Sequence, residues 1–134
     1  VTLVIDASVA TKWVLPEIGS DLAAALRHND DDLIAPALIV GEVGNAIWKC
    51  VMWRELSQED TVRAVDIAIS LVSRLIPVDD LASRALRIAI ELQHPIYDCF
   101  YLALAERERV ALVCANRPLV KKAKKLKSVK VRAL

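Results

Sequence analysis

Three carboxylates each interrupt an otherwise apolar segment of this 134-residue chain. Asp6 ends the run Val1–Ile5, Glu42 sits among Val40, Val43 and Ile47, and Asp98 stands between Tyr97 and Cys99 in a long apolar stretch. A carboxylate in such surroundings is costly to desolvate unless it is paired or bound to metal. Lys49 shares a helical stripe with Glu42 and Asn45, but seven residues at 1.5 Å each put it about 10 Å along the axis, too far for a direct pair. Glu42 therefore takes a partner from elsewhere, or its stripe simply faces solvent. Asp98 also has a plain explanation, the favourable interaction of an acid with the first turn of a helix. Neither alternative explains why three separate elements carry one acid each. Acids brought to one rim repel and raise one another's pKa unless a divalent cation neutralises them. With oxygen donors only, and with His28 and His94 isolated in the sequence, that cation is Mg²⁺ or Mn²⁺ rather than zinc.

Alternating strands and helices must deliver these acids. Val1–Ile5 reads as a buried strand, with Ser8 capping a short helix after it. Ser20 or Asp21 opens a helix to about Asn29, Leu33–Ala35 is a strand stopped before Pro36, and residues 37–53 form a mostly buried helix. Ser57-Gln58-Glu59-Asp60 has the form of a capping arrangement for a helix to about Arg74. Leu75–Val78 is a strand, Asp79 or Asp80 caps a helix to about Leu92, and Pro95 lies near the start of another that runs to about Arg109. Ala111–Cys114 is a fourth strand, Asn116–Lys127 a basic helix and Val129–Val131 a last short strand. This alternation, without tight hairpin signals, predicts an α/β fold: a three-layer α/β/α sandwich around a mostly parallel sheet of four to five strands, one domain over residues 1–134. Ligands in such folds collect beyond the carboxyl ends of the strands, where chain order reverses. Asp6 and Asn116, each directly after a strand, belong to that rim.

Composition narrows the classes. The chain is 55% hydrophobic with a mean hydropathy of +0.37, yet no apolar run approaches the roughly 20 residues of a membrane span. The first fifteen residues carry Asp6 and Lys12 and no basic leader, so a cytoplasmic protein with no membrane partner is expected. Cys50, Cys99 and Cys114 are odd in number and lack C-x-x-C spacing, which makes them packing residues rather than disulfide or zinc ligands. The net charge of +1 conceals a split. Eight of eighteen basic residues lie between Arg117 and Arg132, leaving ten against all seventeen acids in residues 1–114, a net of −7. That is either a polyanion-facing tail or a solvated helix face. Glu106, eight residues beyond Asp98, is expected in solvent. Trp13 can stack on a base or pack in the core; Trp48 and Trp53 can serve a dimer face, a partner groove or the core.

Four segments in order carry a family resemblance: Val4-Ile5-Asp6-Ala7-Ser8; Pro36 leading to Glu42-Val43-Gly44-Asn45-Ala46; His94-Pro95-Ile96-Tyr97-Asp98-Cys99-Phe100-Tyr101-Leu102-Ala103; and Cys114-Ala115-Asn116-Arg117. Together they resemble the motifs of PIN-domain ribonucleases, in particular the VapC-type toxins of toxin–antitoxin pairs, over essentially the whole chain. The resemblance implies a PIN-like fold and an endoribonuclease that hydrolyses RNA phosphodiester bonds with Mg²⁺ or Mn²⁺. It makes Asp6, Glu42 and Asp98 the catalytic, metal-binding acids, with Asn116 a weak or water-mediated ligand and Ser8 and Asn45 lining the site. It also implies a cognate antitoxin and a homodimer. Arg117, Lys121 and Lys124 of the basic helix would contact RNA phosphates. One departure matters: the family usually shows Thr-Ala-Asp-Arg where this chain has Cys114-Ala115-Asn116-Arg117. Asn116 can offer a neutral oxygen but removes one negative charge, so a second metal should bind more weakly. Two other functions compete. A catalytically impaired PIN domain would act as an RNA- or partner-binding module. A phospho-receiver signalling domain would need an acidic pair after the first strand, where this chain has Asp6-Ala7.

Overall fold

A computed structural model describes residues 1–16, 19–54 and 56–134. Five strands, β1 (Thr2–Ile5), β2 (Asp32–Pro36), β3 (Arg74–Ile76), β4 (Ala111–Cys114) and β5 (Val131–Ala133), form one sheet in the order β3-β2-β1-β4-β5. Every pairing is parallel, so the expected α/β sandwich is observed, with five strands and no antiparallel edge. The three central strands are buried along nearly their whole length, as parallel strands covered on both faces must be. Their β-branched and aliphatic residues fit that setting: Val4, Ile5, Ile34 and Leu112 are at most 1% exposed.

Seven helices flank the sheet among the described residues: α1 (Ala7–Lys12), α2 (Ser20–Arg27), α3 (Ile39–Arg54), α4 (Gln58–Ser70), α5 (Ala82–Leu92), α6 (Ile96–Glu108) and α7 (Arg117–Ala123). Helix α6 packs on β1, β2 and β4, and α5 packs on α6. A helix apolar on every side has to be a core helix, and α6 buries Cys99 and then Tyr101 through Ala105 in succession. Helix α3 is less buried than its composition suggests. Ile39, Val43, Ile47 and Cys50 face the core at helical spacing, whereas Trp48, Met52 and Trp53 are exposed. Trp13 packs partly against the core, with its indole N–H donating to the Ala23 carbonyl at 2.8 Å.

Several boundaries differ from the sequence reading, and the reasons are local. Asp6, not Ser8, caps α1: its carboxylate accepts from Val9 N–H at 3.2 Å, while the Ser8 hydroxyl is turned onto Asp6 itself. Gly19 starts α2 at φ +89, a conformation that costs glycine little. Ser57 precedes α4 but its side chain makes no capping bond; Thr61 instead donates to the Ser57 carbonyl. Asp79 and Asp80 form a single 3₁₀ turn, Asp79–Leu81, without a side-chain cap. The strand β2 runs through Pro36, and the Ala37 N–H restores the ladder to Ile76 at 2.8 Å. The basic helix stops at Ala123, and β5 begins two residues later than expected.

The chain steps outward from β1 to β2 and β3, then returns to the other side of β1 for β4 and β5. Order therefore reverses beside β1, and the ends of β1 and β4 open onto the crevice where such sheets bind ligands. Ile5 pairs with Val113, and Asp6 N–H continues to the Val113 carbonyl at 3.4 Å, so Asp6 and the segment Cys114–Asn116 leave the sheet side by side.

Candidate active site

Asp6 follows the last residue of β1 and is 4% exposed. Three donors hold it: Ser8 Oγ at 2.5 Å and Val9 N–H at 3.2 Å, both on Oδ1, and Cys114 Sγ at 2.9 Å on Oδ2. Ser8 Oγ in turn accepts from Ala115 N–H at 3.0 Å, which stitches the end of β4 to the start of α1. Burial pushes the Asp6 carboxyl above its ordinary range against the pull of these donors, and the Asp98 charge adds to the rise. Burial, with the adjacent Asp6 charge, likewise holds the Cys114 thiol far above the usual value, so it stands as an S–H donor.

Glu42 lies in the first turn of α3 and is half-buried. Its Oε1 accepts from Tyr101 Oη at 2.6 Å. Burial raises its carboxyl, the Tyr101 hydroxyl opposes the rise, and Asp98 and then Asp6 reinforce it. Asp98 lies in the first turn of α6, with His94 Nε2 at 2.6 Å from Oδ2. The Asp98 charge thus acts on both Asp6 and Glu42, and the Asp6 charge on Glu42, so the three acids singled out from the sequence lie along one rim. Among the described residues no three Asp, Glu, His or Cys side chains form a ready-made metal cage; each acid is engaged by its own protein donor instead.

A cavity of about 530 Å³ opens beside this rim, lined among others by Ser8, Glu42, Asn45 and Asn116 together with Lys12 and Lys49. A second, of about 280 Å³, shares Lys12 and Ala115 with it and is lined by Arg117. Of the residues expected to line the site or contact RNA, Ser8 and Asn45 line the first cavity and Arg117 the second, while Lys121 and Lys124 line neither. Asn116 caps α7, its Oδ1 accepting from Leu119 N–H at 3.3 Å.

Three features escaped sequence reasoning. His94 is not isolated but paired with Asp98. Cys114 does more than pack, since it donates to Asp6. Tyr101 holds Glu42 from 59 positions away. A signal for Tyr101 existed: it lies one turn after Asp98 inside an apolar helix, and a buried phenol needs a partner for its hydroxyl. Glu106 is not a solvated acid either. Arg84 grips it at 2.6 and 2.7 Å and the Ser128 hydroxyl donates to it.

The model of the PIN domain family matches residues 3–125. No curated protein matches the sequence. Among solved structures, PAE2754 from Pyrobaculum aerophilum is 24% identical with a TM-score of 0.75, the match covering 98% of this chain and 83% of that one. A toxin–antitoxin complex from Klebsiella pneumoniae is 18% identical at a TM-score of 0.68, over 95% and 94%. VapC20 from Mycobacterium tuberculosis, a toxin that cleaves the sarcin–ricin loop, is 17% identical at 0.65, over 84% and 86%. At these identities the structural likeness establishes the fold.

Proposed function

The chain belongs to the PIN domain family, and from that membership we propose that it is a metal-dependent endoribonuclease, the toxin of a toxin–antitoxin pair, acting in the cytoplasm as a single domain. Family membership removes the phospho-receiver reading. The observation that carries the proposal is geometric: Tyr101, one turn after Asp98 on α6, bonds Glu42 on α3, and α6 packs on β1, which ends at Asp6 beside the switch point of the sheet.

The donor set fits a hard divalent cation such as Mg²⁺ or Mn²⁺. It is made of carboxylate oxygens, and the groups that hold Asp6 and Glu42 are uncharged, so they satisfy hydrogen bonds without cancelling the negative charge. Asp6, Glu42 and Asp98 would hold the ion, while Asn116, already capping α7, supplies no charge and is left a water-mediated contact. When bound, such a cation offsets phosphate charge and makes a water usable as a nucleophile at neutral pH. The chain's own residues do the rest. Ser8 and Cys114 fix Asp6, Tyr101 fixes Glu42, and Asp98 is the acid we assign to accept the proton of the attacking water. Asn45 lines the cavity where the ribose-phosphate would lie, and Arg117, Lys121 and Lys124 contact flanking phosphates. The exposed Trp48, Met52 and Trp53 supply apolar surface for the antitoxin or a second copy of the chain.

The test is Mg²⁺- or Mn²⁺-dependent cleavage of a structured cellular RNA pool by the purified chain beside its Asp98→Asn variant. Cleavage by the parent, reduced at least 100-fold in the variant, is expected, the scale on which general acid–base groups act. One observation favours a second reading: Asn116 contributes a helix cap and no charge. A folded parent that binds metal and RNA but cleaves nothing would establish that impaired, binding-only form.

A further inference from the structure

His94 lies in the short connection between α5 and α6, with only 11% of its side chain exposed. Its two ring nitrogens face different partners. Nε2 lies 2.6 Å from Asp98 Oδ2, and Nδ1 lies 3.4 Å from Nζ of Lys122 on α7. The same ammonium donates to the Gln93 carbonyl at 3.2 Å, so Lys122 bridges the residue that ends α5 and the ring that follows it. An ammonium offers three donors and no acceptor. The nitrogen facing it must present a lone pair, because a proton on Nδ1 would confront an N–H. The proton of the neutral ring then sits on Nε2 and is donated to Asp98. Which imidazole nitrogen carries the proton is decided by what the other one meets. Here Lys122 decides it.

We propose that Lys122 and His94 form a positioning relay for Asp98, in which Lys122 fixes the imidazole tautomer and His94 holds Oδ2, so that the carboxylate would be presented to a divalent cation in one orientation. The inference rests on the metal reading above and adds two residues that none of the four sequence motifs assigns a role. Helix α7 thereby does more than present basic side chains, since one of its lysines reaches back to orient an acid on α6. Hydrogen-bonded partners of metal ligands set ligand orientation, and their loss typically weakens metal affinity 10- to 100-fold. A purely structural tie between the α5–α6 connection and α7 would change thermal stability and leave metal affinity alone.

Two readouts on the full chain separate these outcomes: Mn²⁺ binding, followed through the electron paramagnetic resonance of the free ion, and the His94 tautomer, read by two-bond ¹⁵N–¹H correlation. The parent should show the Nε2–H tautomer, and Lys122→Met should shift it toward a mixture. His94→Leu should weaken Mn²⁺ binding roughly tenfold or more, while His94→Gln, whose amide N–H can replace Nε2–H, should stay close to the parent. Because Lys122→Met leaves the ring in place, the tautomer test stands even where His94→Leu fails to fold. Parent-like Mn²⁺ affinity in folded His94→Leu, or an Nδ1–H tautomer in the parent, would overturn the relay alone. A parent that binds no Mn²⁺ would instead sink the metal reading and the relay with it.

Discussion

Asp6 is the one fully buried carboxylate among the described residues, and its donors are a hydroxyl, a thiol and one backbone N–H. Its carboxyl is raised mainly by burial, so the native state binds that proton more tightly than the unfolded chain does. Its stabilising contribution is therefore complete below the ordinary carboxylate range and is lost as pH rises through the raised value. Asp6→Asn keeps an oxygen for Ser8 and Val9 and turns its amide toward the weakly accepting sulfur of Cys114. The variant should melt higher than the metal-free parent at neutral pH, by about 4 °C for each kcal/mol of burial penalty relieved, with the gap closing as acid protonates the parent. Calorimetry at neutral and acid pH checks this; equal melting temperatures at neutral pH would mean that the charge costs nothing. The same scan with Mn²⁺ should raise the parent, by about 2.7 kcal/mol at a hundredfold excess over its dissociation constant, and leave Asp6→Asn unmoved. The acids themselves were legible in the sequence, because each breaks an apolar run. Their donors were not: Cys114 meets Asp6 across 108 positions only because β4 lies beside β1.

At the scale of elements, α5 and α6 are held at their far end by a clasp remote from the acids. Arg84 grips Glu106 through two parallel bonds, and Ser128 from the segment before β5 closes the group. Planar two-point pairing is the strongest form such an ion pair takes. Arg84 is 40% exposed, however, and solvent discounts the gain. Glu106→Gln should therefore cost only about 1 kcal/mol, read as a lower urea midpoint with an unchanged slope, while RNA cleavage stays at the parental rate. The Arg84 guanidinium holds the Glu106 carboxyl below its usual range, so this contribution is present above the unfolded-state pKa and fades as pH falls. A cleavage defect in the folded variant would show that the clasp reaches the site. Element type was legible throughout, since the central strands are continuous apolar runs and α5 repeats Ala85, Ile88 and Leu92 on one face. Element ends were less so. Ser8, Ser57 and Asp79 all have capping chemistry, but the Ser8 hydroxyl turns onto Asp6, the Ser57 side chain makes no capping bond, and Asp79 enters a tighter turn.

For the whole molecule, charge is segregated along the chain: a net of −7 over residues 1–114, and eight cations with no acid in the rest. Folding divides those cations among different tasks. Lys122 is turned inward onto His94 and Gln93, Arg117 lines the cavity next to the acidic rim, and Lys121 on α7 and Lys124 just past its end remain exposed. The sequence could show that a cationic tail exists, but not this division, because the tail's register against the α5–α6 connection is a property of the fold. If RNA runs past α7, the two exposed lysines contribute through counterion release. Each phosphate contact on single-stranded RNA then adds about 0.7 to the slope of log affinity against log salt. Lys121→Gln with Lys124→Gln should flatten that slope by about 1.4, measured by fluorescence anisotropy on a labelled RNA in Ca²⁺ buffer with Asp98→Asn as background to prevent cleavage. Lys130→Gln, beyond α7, is the control for a mere change of net charge. If the double variant keeps the full slope while the control reduces it, the RNA path lies along the β5 edge, and the phosphate-binding role passes from α7 to the segment that follows it.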